Sequence, residues 1–151
     1  MTPGRRTLRF ASLDEIMPEV ESLVGRNRTV GNWSFAQICN HLAAVARRTV
    51  DMPASTPVDP NLFLGEEKKK AAFESGLIPE GLPAPEGVEP ASVGDEPTEV
   101  EGLRQALTHY KASPGPVMTH RFFGPLTKAE WDRLQCMHCA HHLSFVIPED
   151  V

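Results

Sequence analysis

The fold prediction starts from the stretch between Thr127 and Ile147, which reads TKAEWDRLQCMHCAHHLSFVI. It is predicted to be one helix. Thr127 and Glu130 have the spacing of a capping box, in which each side chain accepts a hydrogen bond from a backbone N–H at the helix start. Pro148 comes next and cannot continue a helix, because it lacks a backbone N–H.

Three histidines lie in this helix, and two of them have the spacing of metal ligands. His138 and His142 are four residues apart and therefore lie one turn apart on the same face. An imidazole pair at i and i+4 is a recurrent arrangement for a divalent metal ion. His141 lies off that face and is expected to pack between helices or to be half exposed.

A third imidazole could come from His41, on the helix that Ser34 and Gln37 are predicted to open with a second capping box. In a helical bundle, His41 could converge with His138 and His142, and three neutral imidazoles with an open position form a catalytic type of metal site. Imidazole suits zinc, nickel, copper or iron, so the ligands do not select the metal, although zinc and nickel are favoured here. The alternative is that His41 is a hydrogen-bonded core or surface residue.

The two cysteines of the last helix are interpreted as small buried hydrophobic residues. Cys136 and Cys139 form a C-x-x-C motif, but Cys136 lies about nine residues into the helix, far from the N-terminus that would activate a redox thiol. A zinc site of this kind needs a second cysteine pair. With an odd count of 3 cysteines, a secreted disulfide framework is not expected either.

Helical spacing and cap signatures predict an all-α four-helix bundle, in one domain over 1–151. Thr98 and Glu101 are interpreted as the capping box of the third long helix, and Leu8 and Phe10 as part of a short strand-like arm. A long Pro-rich crossover joins the second and third helices, within an irregular insertion at about 51–97. The part at 76–97 is expected to wrap over one end of the bundle without regular helix. The four long helices are predicted at about 12–25, 34–50, 98–112 and 127–147, with a short helix at about 65–75.

Composition narrows the classes of function. The chain has 151 residues, 40% hydrophobic residues and a net charge of −5, as expected for a globular protein. Because no basic run offsets the acidic balance, a nucleic-acid partner and an anionic membrane partner are not expected. The basic start lacks the apolar core of a secretory signal, and no apolar stretch reaches the roughly 20 residues that span a bilayer. A cytoplasmic protein is therefore predicted.

Three segments resemble one protein superfamily. WSFAQICNHLA (33–43) and HCAHHLSFV (138–146) resemble the second-helix and last-helix signatures of the DinB/YfiT-like superfamily, and FFGPLTKAEWDRL (122–134) narrows the match to a branch of unknown function. The resemblance implies a four-helix bundle, homodimers, and a divalent metal ion held by His41, His138 and His142. Some members resemble transferases or isomerases that use bacillithiol, mycothiol or glutathione. Leu143 stands where many relatives have an arginine.

Two hypotheses on function follow. The first is a metal-dependent enzyme, a transferase or hydrolase acting on a small molecule with a low-molecular-weight thiol. Its general base is open, with Gln37, His141 and Glu130 as candidates by their position in the sequence. The alternative is a non-catalytic helical bundle that binds a small molecule or forms a dimeric interaction module. His109 is predicted to be structural or at the surface, and so is His120, although it could line the mouth of the site.

Overall fold

Helices account for most of the regular structure of this chain. The computed structural model describes residues 3–78, 88–90 and 92–150. These ranges contain five α-helices, two short 3-10 turns (Leu13–Glu15 and Pro60–Leu62) and one two-stranded antiparallel sheet. In chain order the elements are α1 (Ile16–Leu23), β1 (Asn27–Thr29), α2 (Phe35–Asp51), α3 (Glu66–Ser75), α4 (Glu96–Ala112), α5 (Lys128–Leu143) and β2 (Val146–Pro148). None of the helices in these ranges is both long and apolar enough to cross a membrane.

The starts of α2 and α5 confirm two of the predicted capping boxes. Ser34 Oγ accepts the backbone N–H of Gln37 at 3.2 Å, and the Gln37 side chain accepts the N–H of Ser34 at 2.8 Å. At α5, Thr127 Oγ1 accepts the N–H of Glu130 at 3.1 Å, and Glu130 accepts the N–H of Thr127 at 3.0 Å. Both helices that carry the predicted metal ligands therefore begin where the sequence placed them.

The end of the last helix differs from the prediction. α5 ends at Leu143 rather than near Ile147, and the following residues form β2, which pairs with β1. Val146 is fully buried, so the apolar residues after Leu143 serve the core as part of a strand. Each strand has only three residues, and the two lie far apart in the sequence, so alternation of polar and apolar residues could not reveal them.

The start of α4 is a second correction. The helix begins at Glu96, because Asp95 Oδ1 accepts the backbone N–H of Thr98 at 2.9 Å and so acts as the N-cap. Thr98 is therefore the third residue of α4, and Glu101 pairs with Arg104 rather than completing a capping box. A proline in the first turn is tolerated, since the N–H it lacks would have no partner within the helix.

The first helix begins with an irregular turn. The Ser12–Glu15 capping box is present, but it opens a 3-10 turn, and regular α-helix starts at Ile16 and ends at Leu23 rather than residue 25. The preceding arm forms no strand over residues 3–11, contrary to the strand-like arm expected from Leu8 and Phe10.

The buried residues form two hydrophobic clusters. One joins α1, α2 and α4 with the C-terminal part of α5, and it includes the fully buried Leu103, Tyr110 and Leu143. The other lies between the first half of α5 and the connector before it, and it includes Phe123 and Trp131. The prediction of a mostly helical protein is confirmed, whereas the four-helix arrangement and the single domain remain predictions. α3 confirms the short helix predicted at 65–75. Within the segment expected at 76–97 without regular helix, residues 79–87 and 91 lie outside the described residues, and the last two residues already belong to α4.

Candidate metal centre

The three histidines that the sequence singled out come together. His41 Nε2 lies 3.3 Å from His138 Nε2, and His142 Nε2 lies 3.1 Å from the same atom. With Zn–N bonds of 2.0–2.1 Å, two nitrogens on one tetrahedral zinc ion are about 3.4 Å apart. The three ligand atoms all lie within 4.8 Å of one another, so their spacing fits a single divalent ion.

The hydrogen bond of His41 sets the tautomer that a metal ligand needs. His41 is buried on α2, and its Nδ1 lies 2.8 Å from the carbonyl oxygen of Val88. Because a carbonyl only accepts, Nδ1 carries the proton, and the lone pair of Nε2 faces the other two imidazoles. A histidine ligand that donates its second N–H to a carbonyl is the usual arrangement around protein-bound metals.

The two histidines of α5 are held by helix geometry and by packing. The ring of His142 stacks on Trp33, with 5.5 Å between centroids and 17° between planes. His138 retains some accessible surface, but its Nδ1 is fully buried and has no hydrogen-bond partner among the described residues. The other ring nitrogen of His138, Nε2, faces the Nε2 atoms of His41 and His142.

Burial keeps all three imidazoles neutral. It is the largest cause that lowers the pKa of His41, His138 and His142, and the positive charge that each neighbouring imidazole would carry lowers the last two further. The neutral imidazole is the form that binds a metal.

The three histidines line one end of a large cavity. Its volume is about 750 Å³, and its walls come from α2, α5, the segment before α2 and the connector between α4 and α5. On α2, Val45 and Arg48 line it on the same side as His41, and on α5 the wall includes Trp131 and Gln135. A cavity of this size suits a small organic molecule.

Of the three candidates for a general base, one lines the cavity and two do not. Gln37 and Glu130 are engaged in capping boxes, Glu130 also pairs with Lys69, and neither lines the cavity. His141 does line it, and its Nδ1 accepts a hydrogen bond from Arg5 Nη2 at 2.9 Å. Only His141 is therefore placed to contact a bound molecule.

His120 contributes more to the cavity than its sequence position indicated. Its Nδ1 accepts the backbone N–H groups of Phe122 and Phe123 at 3.1 and 3.2 Å, which leaves the proton on Nε2. The loop closes by paired backbone hydrogen bonds between His120 and Gly124, and the positive φ of Gly124 (74°) permits this tight turn. Burial, followed by the charge of Arg121, lowers the pKa of His120 to about 4.

The other predictions on histidine and cysteine are confirmed. His109 lies at the surface and pairs with Asp51 at 2.6 Å. All 3 cysteines are free and buried. Burial raises the pKa of Cys39 to about 12 and that of Cys136 to about 11, so these thiols stay protonated and unreactive.

One family model matches almost the whole chain. The family is described as "Protein of unknown function (DUF1569)", and the match covers residues 3–149. The chain belongs to this family. Neither a search of curated proteins nor a search of solved structures returns a significant match. Membership of the DUF1569 family confirms the predicted domain of unknown function, and the wider likeness to the DinB/YfiT-like superfamily stays a prediction.

Proposed function

We propose that this DUF1569 protein is a DinB-like metal-dependent enzyme that binds one divalent ion, zinc or nickel, through His41, His138 and His142. The observation that supports it best is the convergence of three neutral Nε2 atoms at 3.1 and 3.3 Å on the wall of a cavity. When bound, such an ion supplies Lewis acidity, which lowers the pKa of a coordinated water or thiol toward neutrality.

The protein's own residues perform the positioning. Val88 fixes the tautomer of His41, and the stacked ring of Trp33 fixes the plane of His142. The buried aromatic side chains of Phe122 and Phe123 help to line the cavity and keep water away from a bound molecule.

The proposed reaction is the transfer of a group from a small-molecule substrate to an activated thiol, or the hydrolysis of that substrate by activated water. A low-molecular-weight thiol is the co-substrate that the resemblance implies. A homodimer and a cytoplasmic location belong to the same proposal, which includes neither a nucleic-acid nor a membrane partner.

Metal binding is tested first, on protein purified without a His-tag or chelator. Elemental analysis should find close to one equivalent of metal. Zinc at a hundred times its Kd should stabilise the protein by about 2.7 kcal/mol, which raises Tm by about 5–10 °C for a domain of this size. His138→Ala should abolish both effects.

His109→Ala is the matched control, because His109 is an exposed histidine outside the cavity, and it should respond to zinc as the parent does. If His138→Ala and the parent respond alike to zinc, the proposed site is wrong. If no metal binds and the fold is intact, the alternative of a non-catalytic small-molecule binder becomes the working hypothesis.

A further inference from the structure

The cavity contains a second group of polar side chains, at the end opposite the histidine site. Arg48 follows His41 by seven residues on α2, and Trp131 precedes His138 by seven residues on α5. At 1.5 Å per residue, each lies about 10 Å along its helix from the site histidine. His41 contacts His138 at 3.3 Å, and Thr49, later on α2, contacts Gln135, earlier on α5, at 3.5 Å. The two helices therefore run in opposite directions, and both displacements lead to the same end.

Two N–H donors at this end have no acceptor among the described residues. Trp131 is only 2% exposed, and its indole Nε1 is buried without a hydrogen-bond partner. The ring of His120 lies 5.5 Å from that of Trp131, and its Nε2 carries the proton because Nδ1 accepts two backbone N–H groups. The buried Trp131 N–H without an acceptor destabilises the folded state, so a bound acceptor is favoured beside it.

The same end carries positive charge. Arg48 contacts Met118 Sδ at 3.9 Å, a weak acceptor, and no carboxylate pairs with it in the part of the chain that the structure describes. Arg121 also lines the cavity and stacks over the ring of Phe122 at 4.5 Å. Burial and the charge of Arg48 both lower the pKa of Arg121, as expected for two neighbouring guanidinium groups.

Two acidic residues, Asp59 and Glu89, line the cavity in the part of the chain that the structure describes, and neither forms an ion pair with Arg48. Asp59 is exposed and accepts the backbone N–H of Asn61 at 2.9 Å. Glu89 acts on the imidazole of His41, at the opposite end. Among the described residues, those at the Arg48 end therefore offer a ligand hydrogen-bond donors and positive charge.

We propose that this end of the cavity binds a carboxylate, with His120 Nε2–H, Trp131 Nε1–H and the Arg48 guanidinium as its donors. A carboxylate only accepts hydrogen bonds, and its two oxygens can receive several donors at once. The substrate of the proposed enzyme is then an organic acid whose carboxylate binds at the Arg48 end while its reacting group lies at the histidine site. This substrate class rests on the proposed function, whereas the carboxylate site does not need a metal.

The test follows the indole N–H signals in ¹H–¹⁵N spectra of metal-free protein during titration with hexanoate. The chain has 2 tryptophans, so two indole signals are expected, and Trp131→Phe assigns them. The Trp131 signal should shift in a saturable way with hexanoate. Hexanamide, which has the same length without the charge, should not shift it at equal concentration.

Three variants locate the binding group. Arg48→Met keeps the apolar length of the side chain and should weaken hexanoate binding by about tenfold, the effect of one charge-assisted hydrogen bond. His120→Asn should weaken it as well, since Asn Oδ1 takes the place of Nδ1 in the turn but supplies no donor at Nε2. Arg47→Met is the matched control, because Arg47 is an exposed neighbour that bonds to Gly102 O, and it should bind like the parent.

Equal shifts with hexanoate and hexanamide, or unchanged binding in Arg48→Met, would overturn the carboxylate site. Zinc binding without hexanoate binding rejects this inference alone. Hexanoate binding without zinc binding rejects the proposed function and leaves an organic-acid binding protein.

Discussion

His120 should make the protein less stable in mild acid, and His120→Asn should remove that effect. The pKa of the buried imidazole is about 4, against 6.5 in the unfolded chain. Between these values the unfolded chain takes up a proton that the folded protein does not. The free energy of unfolding therefore falls as the pH falls from about 6.5 to about 4. At pH 5 the loss due to His120 is about 2 kcal/mol.

The substitution is matched to the structure. Asn Oδ1 lies close to the position of imidazole Nδ1, so it can accept the N–H groups of Phe122 and Phe123 that hold the loop. Arg121, the charged group that faces His120 most closely, is an arginine and keeps its charge throughout the titration.

Urea denaturation of metal-free protein at pH 8 and pH 5 measures the effect. Between the two pH values, the free energy of unfolding of His120→Asn should fall by about 2 kcal/mol less than that of the parent. The three histidines of the candidate metal site contribute to both proteins and cancel in this comparison. His109→Asn, at an exposed position, should not reduce the loss of unfolding free energy between pH 8 and pH 5. If the parent and His120→Asn lose the same free energy, His120 is not held neutral by burial.

Three further predictions concern the scaffold. Tyr110→Phe removes the hydrogen bond that the hydroxyl donates to Asp132 at 2.8 Å, and it should cost about 1.5–3 kcal/mol in chemical denaturation; equal stability would show that water replaces the bond. Asp95→Ala should lower the free energy of unfolding through the loss of an N-cap, and Thr98→Ala should lower it less. The reverse order would restore Thr98 as the cap. A thiol reagent should find no reactive cysteine in the native protein and 3 after denaturation, because all are buried; rapid native labelling would contradict that burial.

Local chemistry made much of the candidate site predictable. The capping boxes at Ser34 and Thr127 involve residues three apart, so the sequence alone could place the starts of α2 and α5. The spacing of His138 and His142 needs only helix geometry to put both on one face. His41 was tied to them by the resemblance, and the structure then brought its Nε2 to 3.3 Å from His138.

The remaining features depend on contacts between distant segments. β1 and β2 are three residues each, and their pairing joins Asn27 to Pro148, which no local pattern reports. The cap of α4 was ambiguous because Asp95 and Thr98 are both capping residues, three positions apart. His120 lies in a connector without helical or strand periodicity, so the sequence indicated only that it could line the mouth of the site, and not which contacts hold it there.

The separation of the site histidines in the chain has a consequence for protein synthesis. His41 leaves the ribosome 97 residues before His138. At about 5–20 residues per second, this gap takes about 5–20 s. During that time α2 can pack against α4, but it cannot complete the triad. A site that needs all three histidines can therefore form only after α5 has been translated.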